Sequence, residues 1–366
     1  MSSEPASAVN PYFRLFYDAL RPHGVELAGT FVPSRRWLRA HAASFDALHF
    51  HWPEWIVRAE PDALRFLHAV KGGWRISRML EPRYPDLQIR EYRAFLAAAR
   101  AARKTIVWTC HNVEPHEDAT RPVRAAFRSL AQAADLVICH DDSAAERCRT
   151  LYQPPGRMVI MEHGNYAGVY PRPRSRGEVL HELGLPSSAP LLLFVGQVRP
   201  YKAVDLVCEA AAQLGPRVAL LVAGHAPDPS YAERIRGLVK QLPNAAFIER
   251  QLSDQEFADF VAASDLVLLP YRSVTGSGSA LAALTIGRSV VASDLPFFVS
   301  LLGGHPLAGR VFRSGDAGAL VAAVAQLLEV AADERERAAH ALAARYAWPR
   351  LVSQVASTVR ELVAAA

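Results

Sequence analysis

Long apolar runs are missing from this sequence. Nowhere do about 18 apolar residues follow one another, so no membrane-spanning helix is expected. The opening MSSEPASAVNPYF has neither a basic n-region nor an apolar h-region, so it does not read as a secretory signal. Cysteine is sparse. The four residues Cys110, Cys139, Cys148 and Cys208 show no CxxC or other metal-type spacing, which argues against a zinc ribbon or a disulfide framework. They are expected to be reduced core residues of a cytoplasmic protein. No Lys/Arg run is long enough to suggest nucleic acid as a partner. Internal repeats and low-complexity tracts are absent as well.

What the chain has is ordinary globular bulk with a basic excess. Of its 366 residues 51% are hydrophobic, a length and composition that suit two domains with sizeable cores. The net charge of +5 fits a GC-rich composition heavy in Arg and Ala, or attraction to phosphate on a nucleotide, a lipid diphosphate or an anionic membrane. Short apolar strands alternate with amphipathic stretches, the pattern of parallel α/β units. In the first half, strands are expected at Val25–Phe31, Ala47–His51, Thr105–Thr109, Leu136–His140 and Met158–Glu162, with helices including Asn10–Arg21 and Gln88–Arg103. The chain enters its first helix without an opening strand, so either the start is truncated or the sheet begins at Val25. The Pro- and Arg-rich stretch Tyr170–Arg176 is expected to be the linker. A second α/β series follows, with strands at Pro190–Val195, Val218–Ala223, Ala246–Glu249, Leu266–Pro270 and Ser289–Ser293. A last amphipathic segment spans Trp348–Ala365.

Ligands of doubly wound sheets bind at the carboxyl ends of strands, and the polar motifs fall there. After Leu191–Val195 comes GQVRPYKAVD. Gly196 permits a tight turn, and Arg199 and Lys202 stand just before a helix. Alone, such a pair reads as two solvated loop cations; before helix N–H groups it can cradle a diphosphate. A second strand ends in VAGHAPD, where His225 could touch a base, ribose or sugar. A third ends at Pro270 and Tyr271, followed by Thr275, Gly276, Ser277, Gly278 and Ser279, which open directly into a helix. Small residues let the backbone approach an anion, and the helix terminus adds oriented donors; the plainer alternative is a serine N-cap on a glycine-rich turn.

In the first half, DALHFHWPEW carries His51, Trp52 and Glu54 past a strand, and TIVWTCHNVEPHE carries His111, Asn112, Glu114 and Glu117. A strand emptying into so many titratable groups is costly unless they are used or solvated. The segment EHGNYAGVY places His163 after the last strand of this half. From Trp55 to Phe95, basic and aromatic residues mingle around a Gly-Gly break, a surface suited to an anionic membrane interface.

These segments resemble the family 4 type of GT-B glycosyltransferases. Their strand–G–x–x–R–x–x–K–G segment is matched by Gly196, Arg199 and Lys202, with Ala203 in place of the last glycine. Their G–x–P–V–V–A–S segment is matched by Gly287 to Ser293, with Ser289 for proline. Both glutamates of the E–x7–E pattern are replaced, by Val274 and Ala282. The SGSG-type loop resembles a branch that includes enzymes of bacterial exopolysaccharide assembly. TCHN resembles the T–x–H–[ND] loop whose histidine lies beside the donor sugar, a role that the resemblance gives to His111. His163 and Gly164 resemble the H–G pair before the interdomain linker.

The resemblance implies an α/β chain of two Rossmann-like doubly wound domains facing a cleft. Residues 1–170 would bind the acceptor, with 348–366 returning to them as a C-terminal helix, and 177–347 would bind the donor. The expected activity is transfer of a sugar from a GDP- or UDP-linked donor to a saccharide or polyprenyl-diphosphate-linked acceptor in surface polysaccharide assembly. His111, Glu114 and Glu117 are the candidates for catalysis. Arg199, Lys202, Gly196, His225, Tyr271 and Thr275 to Ser279 are the candidates for the donor. His51, Trp52, Glu54, Asn112 and His163 are assigned to the cleft or acceptor, and Glu54 is a further candidate base. No DxD-type carboxylate pair stands at a donor strand end, so no metal is expected, and no cofactor beyond the nucleotide sugar. The expected location is the cytoplasm, with peripheral contact at the inner membrane face through Trp55–Phe95. The rival readings are an inactive sugar-nucleotide-binding partner and a GT-B-fold nucleotide-sugar epimerase.

Overall fold

The computed structural model describes residues 1–2, 11–54, 84–114 and 120–366, with only the backbone of 84–85. The chain divides into two compact units, Met1–Glu162 with Trp348–Ala366, and His163–Ala347.

In the first unit, strands β1 (Ala47–Phe50), β2 (Thr105–Cys110), β3 (Leu136–Cys139) and β4 (Arg157–Ile160) lie in that order in one parallel sheet. Leu48 sits opposite Ile106, Val107 opposite Leu136, and Leu136 opposite Arg157. All six residues of β2, TIVWTC, are buried, as expected of a central parallel strand covered on both faces. Strand alternation sorts its side chains into two cores. Ile106, Trp108 and Cys110 join Phe50, Phe95 and Phe127 on one face. Val107 joins Phe16, Leu136, Ile138 and Val355 on the other.

The first face is covered by helices α3 (Tyr84–Ala101), α4 (Arg121–Ala133) and α5 (Asp142–Tyr152), together with α2 (Arg35–His41). In α4 a proline stands in the first turn, and Val123, Phe127 and Leu130 recur at helical spacing on the buried side. Burying each such side chain contributes about 1.5–3 kcal/mol. The second face is covered by α1 (Tyr12–Leu20), α14 (Trp348–Leu351) and α15 (Ser353–Ala365). The C-terminal segment therefore packs on the first sheet. It forms two helices rather than one, with buried Trp348 edge-on to Tyr12 at 5.2 Å.

One expectation is corrected in this unit. Val25–Phe31 is not a strand. The place beside β1 is taken by Met1 and Ser2: Ser2 N–H donates to the Gly29 carbonyl, and His49 N–H to the Met1 carbonyl. Of the expected membrane-docking stretch, residues 55–83 lie outside the described residues. In α3, Ile89, Tyr92 and Phe95 turn into the core instead.

In the second unit, β5 (Leu191–Val195), β6 (Ala219–Ala223), β7 (Ala245–Ile248), β8 (Leu266–Leu269), β9 (Ser289–Ser293) and β10 (Gly309–Phe312) form a parallel sheet. Their order is β10-β9-β8-β5-β6-β7. It reverses between β5 and β8, the switch point at which doubly wound sheets open a crevice for ligands. The flanking helices are α6 (Arg176–Glu182), α7 (Val204–Leu214), α8 (Pro229–Lys240), α9 (Asp254–Ala263), α10 (Gly278–Thr285), α11 (Pro296–Leu302), α12 (Ala317–Leu328) and α13 (Ala332–Ala344).

Tyr170–Arg176 lies inside this unit, not between the units, because its polar groups are bound there. Arg174 donates from its main chain and from Nε to the buried carboxylate of Asp259, at 2.8 and 2.7 Å. Ser175 and Glu178 then close a capping box that starts α6.

Candidate active site

Three elements converge at the switch point of the second sheet. Gly196 ends β5 with φ +128°, a conformation that L side chains rarely adopt. A Cβ on Gly196 would lie 3.2 Å from Lys202 Nζ and 3.4 Å from Ser279 Oγ, so ammonium and hydroxyl border the same space. Ser277 caps α10 by accepting from Ala280 N–H at 3.2 Å, and Ser279 Oγ donates to the Val195 carbonyl at 3.3 Å. Lys202 Nζ stands 5.0 Å from the ring centroid of buried Tyr271. Burial, and then the charge of Arg199, pull the Lys202 ammonium below its ordinary value. A dehydrated cation beside a helix N-terminus favours an anionic guest, which would return to it what burial removes.

The turn that carries Lys202 is strapped to the loop after β8. Arg272 donates to the Tyr201 carbonyl from its main chain at 2.7 Å and to the Pro200 carbonyl from its guanidinium at 2.8 Å. Asp205, in the first turn of α7, accepts from Tyr231 Oη at 2.8 Å and pairs with Arg234 and Arg272 at 3.0 and 3.3 Å. None of these straps was singled out in the sequence, where their residues lie far apart. Arg199 lies at the start of the same turn, its Nε bonded to Gln197 Oε1 at 2.9 Å.

Ala203, standing where the family pattern has glycine, adopts φ +50° and ψ +46°. A non-glycine residue there costs about 1–2 kcal/mol, partly offset by the roughly 0.4–1 kcal/mol of added unfolded-state freedom that glycine brings. Ala203→Gly is therefore expected to raise the melting temperature of this unit by about 2–4 °C per kcal/mol regained. A fall in the thermal midpoint, followed by circular dichroism, would contradict this.

The remaining donor-side residues divide. Buried His163 donates through Nδ1 to the Gly164 carbonyl at 2.8 Å and stacks on Tyr166 at 5.7 Å. The Tyr166 hydroxyl lies where a Cβ on Gly278 would come within 2.5 Å, so Gly278 is required for that close approach. Tyr166 thus joins His163 to the mouth of the TGSGS loop, a link that the sequence did not show. His225 is exposed, and its carbonyl accepts from Val198 N–H at 2.9 Å. Val274 is half-buried and Ala282 fully buried in α10.

In the first unit the strand ends gather aromatic nitrogen and hydroxyl groups. Thr109 Oγ1 lies 2.8 Å from His49 Nε2, and His49 Nδ1 2.8 Å from Tyr17 Oη. Tyr17 Oη lies 3.2 Å from His51 Nε2, and His51 Nδ1 3.0 Å from His111 Nε2. His111 Nδ1 lies 3.3 Å from His140 Nε2, and His140 Nδ1 2.8 Å from the Met161 carbonyl. Trp52 stacks on His111 with centroids 4.7 Å apart, and Tyr12 meets it edge-on at 5.0 Å. Burial pulls His49 down to about 3, reinforced by the N-terminal ammonium. It also holds His51 well below the ordinary histidine value, with the neighbouring rings adding to it. His140 is lowered by burial against the opposing hydrogen bond to Met161. The sequence pointed to His51 and His111; His49 and His140 stand in LHFH and ICH, at strand ends that signalled them equally well.

The carboxylates are less well placed. Glu114 is exposed and pairs with Arg147 at 2.7 Å, which holds it away from the role of a free base. Glu54 is half-buried just beyond Trp52, and Asn112 accepts through its carbonyl from the Cys110 thiol. Glu117 lies outside the described residues. All four cysteines are buried and unbridged. The sulfur atoms of Cys110, Cys139 and Cys148 lie within 4.8 Å of one another, a trio in which a soft cation would find ligands. Side-chain contacts within the trio hold the Cys148 thiol below its ordinary value and those of Cys110 and Cys139 above theirs.

Solved structures share this architecture. Sucrose-phosphate synthase from Thermosynechococcus elongatus superposes with a TM-score of 0.65 at 18% identity, over 90% of this chain and 77% of that one. Anabaena HepE, solved in complex with UDP and glucose, gives 0.62 at 17%, over 88% and 94%. With two parallel α/β units, the chain has the GT-B glycosyltransferase fold. Residues 189–330 match the family profile described as Glycosyl transferases group 1, and residues 56–164 match Glycosyltransferase Family 4. The chain belongs to the glycosyltransferases of the family 4 type. Among its relatives, a GDP-mannose:glycolipid 4-beta-D-mannosyltransferase of Xanthomonas campestris pv. campestris is 26% identical over 292 residues, 80% of this chain and 72% of that protein. A D-inositol 3-phosphate glycosyltransferase of Mycobacterium bovis is 30% identical over 232 residues, 60% of this chain and 46% of that protein. Among the described residues no helix is long and apolar enough to cross a membrane.

Proposed function

We propose that this glycosyltransferase takes a hexose from a nucleoside-diphosphate sugar, GDP-mannose being the first candidate, and passes it to a glycolipid or polyprenyl-diphosphate-linked saccharide in surface polysaccharide assembly. The observation that carries the reading is the convergence of Lys202 Nζ and Ser279 Oγ on the space beside Gly196, at the switch point of the second sheet. The relative that names GDP-mannose and a glycolipid covers 80% of the chain and supports the choice of donor and acceptor.

Breaking the anomeric C–O bond leaves negative charge on the departing diphosphate. Lys202 and Arg199 face that charge, with the donors of the α10 N-terminus beside them. These groups supply the neutralisation that a divalent ion would otherwise give, so the proposed chemistry uses neither metal nor cofactor. His111, half-exposed at the carboxyl end of β2, orients the sugar. Acting on a lipid-linked acceptor, the enzyme would sit in the cytoplasm, peripherally on the inner membrane face.

Incubation with radiolabelled GDP-mannose or UDP-glucose and a polyprenyl-diphosphate-linked oligosaccharide tests this. Transfer of label from GDP-mannose to the lipid fraction is expected. Nucleotide binding without transfer or hydrolysis would instead favour the inactive-partner reading, to which Val274 and Ala282 in place of two glutamates lend weight.

A further inference from the structure

The hydrogen-bond chain through the first unit ends on a group that can only accept. His140 Nδ1 lies 2.8 Å from the Met161 carbonyl, so Nδ1 carries the proton. A neutral His140 then has a lone pair on Nε2, and the contact at 3.3 Å requires His111 Nδ1 to donate to it. The same logic passes upward ring by ring. His51 Nδ1 donates to His111 Nε2, Tyr17 Oη to His51 Nε2, His49 Nδ1 to Tyr17 Oη, and Thr109 Oγ1 to His49 Nε2. Along this chain each ring nitrogen takes one role, so one carbonyl sets four imidazoles in the same tautomer. Burial keeps His49, His51 and His140 neutral, as the assignment requires.

We infer that His140, His51 and Tyr17 are positioning residues which hold His111 as the Nδ1–H tautomer, with its ring fixed between Trp52 and Tyr12. The consequence concerns what a substrate meets. A sugar hydroxyl that displaces His51 Nδ1–H from His111 Nε2 finds a lone pair there, so His111 meets it as an acceptor and not as an N–H donor. Water favours the opposite tautomer for a free neutral imidazole, so without the chain His111 would present the wrong partner much of the time. This use of the chain rests on the reading of His111 given above; the tautomer itself does not.

The test is long-range proton–nitrogen correlation on the full-length protein labelled with ring-¹⁵N histidine, at neutral pH, with signals assigned from His→Gln variants. His49, His51, His111 and His140 should all show a protonated Nδ1 and a bare Nε2. In His140→Leu, which keeps neither ring nitrogen, His111 should revert to a mixture dominated by Nε2–H. In His140→Gln, whose amide oxygen can accept where Nε2 did, Nδ1–H should persist. A protonated Nε2 on His111 in the wild type, whether as the other tautomer or as the imidazolium, overturns the inference, and so does an unchanged tautomer in His140→Leu. Kinetics separate this from the sugar-orienting role. His140→Leu should lower kcat about tenfold with little change in donor KM, and His140→Gln should restore it. Normal kcat with a scrambled tautomer would leave the proton assignment standing and remove His111 from the mechanism.

Discussion

Lys202→Ala should lower kcat by about 10²–10³-fold, the loss expected when one preorganised charge is taken from the developing oxyanion. The effect should be large because Lys202 is already dehydrated and held. Burial has pulled its ammonium below the ordinary lysine value, and Tyr271 lies against it. The Arg272 strap also fixes the turn that presents it, so little reorganisation remains when charge builds on the leaving diphosphate. Lys202→Arg should recover only part of the rate, because a planar fork does not replace a point charge in the space between Gly196 and Ser279. Arg199→Ala should move the rate in the same direction. Far-ultraviolet circular dichroism should show both variants folded. Steady-state transfer near the wild-type rate in Lys202→Ala would remove the donor-site assignment.

The first unit should lose stability in mild acid well before its carboxylates titrate. The folded protein holds His49 near 3 and keeps His51 and His140 below the ordinary value, whereas the unfolded chain binds protons on all three near 6.5. Above that value both states are neutral and the full stability is present. As pH falls through 6.5 the unfolded state takes up protons that the folded state refuses, and stability is lost progressively towards the folded values. His49 alone accounts for about 2 kcal/mol between pH 7.5 and pH 5, with His51 and His140 adding in the same direction. All six tryptophans (37, 52, 55, 74, 108 and 348) fall within this unit's part of the chain, so intrinsic fluorescence during urea unfolding reports on it alone. The expected result is a urea midpoint markedly lower at pH 5 than at pH 7.5, with the difference reduced in His49→Asn. Equal midpoints would show that the rings are hydrated, and that the neutral chain does not exist.

Much of the donor site was legible because its signals are local. An apolar run that ends in glycine, a basic pair and a Ser/Gly turn opening a helix are each contiguous. Gly196, Lys202 and Ser279 were accordingly named before their convergence was seen. What stayed hidden depends on contacts between distant residues. Tyr166 meets Gly278, Arg272 reaches Pro200, and Asp205 gathers Tyr231 and Arg234; none leaves a spacing to read. Val25–Phe31 misled for a related reason. It has strand composition, but Met1 and Ser2 take the main-chain groups beside β1. The Pro- and Arg-rich stretch after Tyr170 looked like a linker until Asp259, a buried carboxylate more than eighty residues away, was found to bind Arg174. His111 and His51 stood out as polar residues beyond apolar strands. The direction of the chain they belong to depends on the Met161 carbonyl, an atom that no side-chain pattern reveals.

Titration calorimetry with GDP and UDP, and with the corresponding nucleosides, on the wild type and Lys202→Ala is the most direct test of the central claim that the second unit holds the donor diphosphate at Lys202. A diphosphate is expected to bind the wild type and to lose about 10–100-fold in affinity in the variant, as for one charge-assisted contact, with nucleoside binding unchanged. Equal diphosphate affinity in the two proteins, both shown to be folded, would contradict the account.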